Sequence, residues 1–324
     1  MHNIIALALL YLLIGSQISM AGPISGYLTD IGVTIPNAVT APNSAATAWR
    51  PTNNSVSFSA EDSVGGSGFV GPGYGGQPYD LEALYVQTLG AKLFITGVSG
   101  VNLSALPSPS SGSSFDSGLT GRCNALQACY TFPIGDFFLG TGNLSNFTPV
   151  IGIEVTGQHY DINSSGYTSG WTSPLTPGSV VDVDGSKKTS GTNLTTGGFE
   201  NGLVNYWGYE GSPSQLAASG YTGQSSSRKG TVTWETVNGH SVFQAAIDTS
   251  ALVSSTNTSF INSLLSGNYI VHWGEVCGND YLRTAGTAIT EPSTISLLAA
   301  SLFSLGLIRM HRRRSNQRVD GKLR

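Results

Sequence analysis

Apolar and polar residues alternate with a period of two over several short stretches of the chain, the pattern of strands buried on one face. Leu81–Val86 sets Leu81, Ala83 and Tyr85 against Glu82, Leu84 and Val86. Lys92–Val101 follows, with Gly90-Ala91 as the turn between them. Pro149–Thr156 places Ile151, Ile153 and Val155 on one face. Ser179–Val183 and Leu203–Tyr209 are shorter strands. Thr231–Val237 and Ser241–Ile247 flank Asn238-Gly239, a dipeptide suited to the tight turn of a β-hairpin. Asn268–Trp273 closes the series, with Tyr269, Val271 and Trp273 on one face. Helix is predicted only over Phe260–Leu265 and over Ser212–Ala218. Eight or more strands without alternating helices predict an all-β fold, an antiparallel, jelly-roll-like β-sandwich.

Composition agrees. The chain has 324 residues, of which only 10% are charged, and it contains 42 glycines. Little Lys, Glu and Ala with much Gly, Ser, Thr and Asn disfavours a helical protein. An apolar content of 40% with so little charge excludes a charged, disordered chain. The Gly-rich stretch Val64–Pro78 contains Gly66-Ser67-Gly68-Phe69-Val70-Gly71, a formal dinucleotide-binding spacing. No predicted strand enters it and no helix leaves it, so it predicts no nucleotide site.

The ends differ from the body. Residues 4–14 are an unbroken apolar run, broken by Gly15, Ser16 and Gln17. Ser19-Met20-Ala21 then puts small residues where a signal peptidase reads, so residues 1–21 are expected to be a cleaved signal peptide with export as its consequence. Residues 22–63 are expected to form an extended N-terminal arm or first strands, and 64–288 the sandwich body. Residues 22–290 carry eight Lys/Arg against seventeen Asp/Glu, about −9. Residues 291–324 carry seven Lys/Arg against two acids, about +5. An acidic body disfavours nucleic acid, whose affinity comes from neutralised phosphates.

Glu291, Pro292, Ser293 and Thr294 precede the apolar segment Ile295–Ile308. Arg309, Arg312, Arg313 and Arg314 follow it. As a helix the segment would be about 21 Å long, against a hydrocarbon core of about 30 Å. It would span only with local thinning and snorkelling arginines. The arginines would stay cytoplasmic, leaving the body outside. This tripartite arrangement over 289–314, followed by the basic tail 315–324, resembles the PEP-CTERM sorting signal, with Thr290 standing where the family has its first proline. The resemblance implies a Gram-negative, exopolysaccharide-producing cell. It also implies transient anchoring in the inner membrane, an exosortase-type transpeptidase as partner, and delivery to the outer surface or extracellular matrix.

Two further resemblances concern the body. Tyr79–Val86 with Lys92-Leu93-Phe94-Ile95, and Phe243–Asp248, resemble strands of sandwiches related to carbohydrate-binding module family 9 and DOMON domains, which implies sugar or cofactor binding. His272–Asp280 is similar to the ending of many PEP-CTERM bodies.

Candidate chemistry is sparse. Cys123 and Cys129 could close a seven-residue disulfide loop, which loop entropy values at about 2 kcal/mol. Cys277 could instead pair with either, and spacing does not choose between these. None of His159, His240 and His272 lies within metal-motif spacing of another. His240, beside the hairpin turn, is expected to be solvated. His272 is expected on the face opposite Tyr269, Val271 and Trp273. No G-x-S-x-G motif is present. Glu82, Glu154 and Glu235 fall in predicted strands and Glu200 and Glu210 border an aromatic stretch, but no pair is singled out for glycoside hydrolysis. Asp182-Val183-Asp184-Gly185 resembles part of a calcium loop without its closing Glu. No metal-ligand set, cofactor or catalytic residue is therefore assigned, although an acidic exported sandwich has room for a structural calcium. Asn205, Trp207 and Tyr209 would share one strand face, where indole and phenol rings can stack on sugars.

The expectation is an exported, non-catalytic surface or matrix protein with a structural or adhesive role. Its partners would be signal peptidase, an exosortase and an envelope or matrix polysaccharide. A secreted enzyme acting on matrix polysaccharide is the alternative. An enzyme should show two carboxyls of shifted pKa in one cleft; a binding module should show an exposed aromatic platform.

Overall fold

The computed structural model describes residues 23–38, 46–61, 80–100, 134–156, 158–163, 166–172, 175–183, 188–189, 199–200, 215–216, 228–254, 257–275 and 280–289. Among them run the strands β1 (Ser57–Ala60), β2 (Leu81–Leu89), β3 (Lys92–Ser99), β4 (Ile134–Gly142), β5 (Phe147–Ile153), β6 (Gln158–Asn163), β7 (Gly166–Thr172), β8 (Val180–Asp182), β9 (Lys188–Thr189), β10 (Phe199–Glu200), β11 (Gln215–Leu216), β12 (Thr231–Val237), β13 (His240–Asp248), β14 (Ile270–Glu275) and β15 (Tyr281–Ala285). Two α-helices, Ile24–Asp30 and Thr258–Ser266, and two 3-10 turns complete the described elements. No described helix is long and apolar enough to cross a membrane.

Two five-stranded antiparallel sheets make the sandwich, in the orders β1-β2-β3-β13-β12 and β15-β14-β4-β5-β8. Chain order explains much of this. The β2–β3 turn uses Gly90 at φ 59°, and the β12–β13 turn uses Asn238 at φ 52° and Gly239 at φ 89°. Consecutive positive φ values are the signature of the turn whose twist suits a hairpin. Val237 then pairs with His240 to start the β12–β13 ladder.

Three apolar layers hold the sheets. Between them Leu84, Val86, Ile95, Phe243 and Ile247 of the first sheet meet Phe137, Ile151, Val271 and Trp273 of the second, all at most 2% exposed. The outer face of the first sheet is covered by Ile24, Tyr27, Leu28 and Trp49, which pack on Tyr85, Val98 and Val242. The outer face of the second carries Phe138, Phe147, Val181, Leu216 and Ile270. Because both faces are covered, β2 is buried at every position from Leu81 to Gln87. Such strands lose the polar alternation that marks a one-sided sheet.

The structure changes several sequence expectations. A register shift between Leu81 and Ala83 breaks the simple alternation of β2. Leu81 therefore joins Leu84 and Val86 in the inter-sheet core, while Ala83 and Tyr85 face the N-terminal layer. Within the expected N-terminal arm, Ile24–Asp30 is helix and only Ser57–Ala60 is strand. Within the expected helix Ser212–Ala218, Gln215–Leu216 pairs as a strand with β10. Strands β4 and β15 had no sequence signal. Thr258–Ser266 contains the expected helix and ends at Gly267 in the left-handed region.

Candidate functional site

Three segments deliver carboxyl groups to one end of the sandwich. Glu61 follows the last residue of β1, Asp80 precedes β2, and Asp280 precedes β15. Antiparallel pairing of β1 with β2 continues one residue further through the Glu61 N–H, which donates to the Glu82 carbonyl at 3.0 Å. Strand β15 belongs to the second sheet yet runs close to β1 and β2 of the first. The Asp280 carboxylate fastens that junction. Its Oδ2 accepts from the Leu81 N–H at 2.6 Å and its Oδ1 from the Tyr281 N–H at 2.7 Å.

One carboxyl oxygen from each of Glu61, Asp80 and Asp280 lies within 4.8 Å of the other two. Asp80 and Asp280 are buried, at 0% and 1% exposure, and Glu61 is half-buried. Burial, reinforced by the charges of Asp280, Asp80 and Glu82 and by the hydrogen bond to Asp280, pushes the Glu61 carboxyl up to about 9. Burial also pushes Asp280 up to about 6, opposed by the Leu81 and Tyr281 N–H groups and by Glu61. At neutral pH Glu61 therefore keeps its proton and donates it to an ionised Asp280, because like charges this close in a poorly solvated site cannot all ionise.

The donor set is all oxygen, which suits a hard cation such as calcium. Calcium takes six to eight oxygens, of which one from each carboxyl group would supply three. The pair also has the separated pKa values, about 9 and about 6, of an acid–carboxylate couple. A polysaccharide would have to reach both groups, and Asp280 is essentially enclosed. What the geometry supports directly is a proton-sharing lock between two sheets.

Beside it lies a second buried polar contact. His240 Nδ1 is 3.3 Å from Glu82 Oε1, and Trp49 meets the imidazole edge-on at 5.0 Å. The Tyr85 hydroxyl donates to the Trp49 carbonyl at 2.6 Å. The expectation of a solvated His240 is thus overturned: the N-terminal layer covers the hairpin end and leaves the side chain 1% exposed.

His272 lies opposite Tyr269, Val271 and Trp273, as its parity requires. Its Nδ1 accepts from Arg283 Nε at 3.0 Å, which places the proton of a neutral ring on Nε2. Arg283 in turn covers the rings of Phe147 and Tyr281. Asp182, from the calcium-loop resemblance, is already engaged. It accepts from Arg228 Nη1 at 2.7 Å, Ser254 Oγ at 2.6 Å and Asn257 Nδ2 at 3.1 Å. Glu235 accepts the Ser25 N–H; Glu82 and Glu154 are buried.

Outside the described residues lie the signal peptide 1–21, the possible disulfide Cys123 and Cys129, and the glycan-contact candidates Asn205, Trp207 and Tyr209. Glu291, Pro292, Ser293, Thr294, Arg309, Arg312, Arg313 and Arg314 lie outside them as well. Sequence reasoning missed Glu61, Asp80 and Asp280. Two of them stand immediately before strands, but only the chain reversal that brings β15 against β2 makes them neighbours. No family model, curated protein or solved structure matches this chain.

Proposed function

We propose that this is an exported, non-catalytic protein of the bacterial surface or extracellular matrix, with a structural or adhesive role. The observation that carries the reading is the order of signals at the two ends. An apolar run with a small-residue cut stands first; Glu291-Pro292, a short apolar segment and an arginine cluster stand last. Both signals would put the intervening body on the same, outer side of the membrane. The two-layer sandwich is the body that this route would deliver. The partners of this reading are signal peptidase, an exosortase-type transpeptidase and an envelope polysaccharide.

Intact mass and cell fractionation test it, on the native protein and on one with Glu291→Ala and Pro292→Ala. A mature species lacking residues 1–21 and the tail after about Pro292, found outside the cells, is the expected result. Retention of the full-length tail in the inner membrane, unchanged by the substitutions, would overturn the sorting reading.

A further inference from the structure

Four large apolar side chains are exposed among the described residues, and Trp234, at 52%, is the largest of them. It stands on β12, the last strand of the first sheet, and no described strand pairs with that strand's outer side. Its neighbours of the same parity are drawn inward: Val232 packs on the inter-sheet core and Thr236 is half-buried. Trp234 is not. Its cross-strand partner is Phe243, only 2% exposed, and the two rings stack at 6.4 Å and 29°. The indole is therefore seated on a buried ring while about half of its surface stays in water.

A half-exposed indole already seated on a buried ring has little freedom left to lose on binding. The charge around it narrows the choice of cover. β12 carries no Lys or Arg, and its one acid, Glu235, is turned to the other face and bonded to the Ser25 N–H. The nearest base in sequence, Lys229, donates to Thr176. The body as a whole is about −9. The net charge of the body repels a polyanion. An uncharged polymer with weakly positive C–H groups matches the negative face of an indole.

We propose that Trp234 is a stacking platform for an uncharged polysaccharide, with the sugar ring lying on the indole at β12, the last described strand of the first sheet. The proposal takes its class of partner from the surface placement above. Its test, on extracted protein, is independent of how the chain is sorted.

The full protein extracted from expressing cells is run in native gels containing dextran, hydroxyethyl cellulose or alginate. Retardation by a neutral glycan and none by alginate is expected. Trp234→Ala should abolish the retardation, and Trp234→Phe should weaken it without changing the melting temperature, which separates binding from folding. Four results overturn the proposal: no retardation by either neutral glycan, retardation by alginate alone, equal retardation of wild type and Trp234→Phe, or a wild-type dimer that Trp234→Ala converts to monomer.

Discussion

His240 and Glu82 face each other across the first sheet's outer layer with 3.3 Å between Nδ1 and Oε1, both side chains 1% exposed. Removing one partner from such a contact takes a polar neighbour from a buried group, typically at a cost of about 1–3 kcal/mol. Here the survivor of a His240→Leu change would be a carboxyl in a region already holding Asp80, Glu61 and Asp280. His240→Leu is therefore expected to lower unfolding stability by about 1–3 kcal/mol. The double change His240→Leu with Glu82→Leu should recover much of the loss. Urea denaturation of the two single variants and the double one measures the coupling. Strictly additive effects would mean that the two side chains do not depend on each other.

The carboxyl lock makes a pH prediction of definite sign. Glu61 holds its proton in the folded chain up to about 9, against an ordinary 4.5, and Asp280 up to about 6, against 3.8. The folded state thus binds more protons than the unfolded one through this interval, and stability from these groups must fall as pH rises. Their contribution is complete below about pH 4. It declines through pH 6 for Asp280 and through pH 9 for Glu61. Glu61→Gln keeps a donor for Asp280 without a proton to lose. The melting temperature of Glu61→Gln minus that of wild type should therefore rise between pH 5 and pH 9. A constant or falling difference would contradict the shared proton.

How much of this was legible beforehand depended on where polarity could still be seen. The β12–β13 hairpin was readable because Asn238-Gly239 names its own turn and β12 keeps exposed residues between inward ones. Pro149–Thr156 overlapped β5 because Ile151, Ile153 and Val155 keep one parity and one core. In β2 the sequence signal survived, but the bulge after Leu81 moved Leu81 to the opposite face, and no residue type announces such a shift. Ile134–Gly142 is buried from end to end of its first seven positions, so Gly135, Asp136, Phe137 and Phe138 gave no period to read. The carboxyl cluster was the least accessible. Asp80 and Asp280 are 200 positions apart in number, and their meeting depends on β15 crossing beside β2. His240 was misjudged because nothing in its own hairpin foretells that Trp49 covers it.

The closeness of the sheets gives a last test. Gly97, in the middle of β3, faces Trp273 of β14; a β-carbon built there would sit 2.5 Å from the indole. The indole cannot easily withdraw. Its Nε1–H donates to the Gly135 carbonyl at 3.2 Å, and Phe137 and Phe243 stand 5.6 and 6.2 Å from it on centroids. Gly97 is in register with Phe243 on one side and Leu84 on the other, so β3 cannot shift away without breaking two ladders. Gly97→Ala should therefore destabilise by about 1–3 kcal/mol, the usual cost of overpacking a filled core. Trp273→Phe should destabilise by leaving a void. Joined, the two changes should cost less than their sum, since the smaller ring makes room for the methyl group. Chemical denaturation of the three variants measures this directly, and a double variant as unstable as the sum would show that the two residues are not packed against each other.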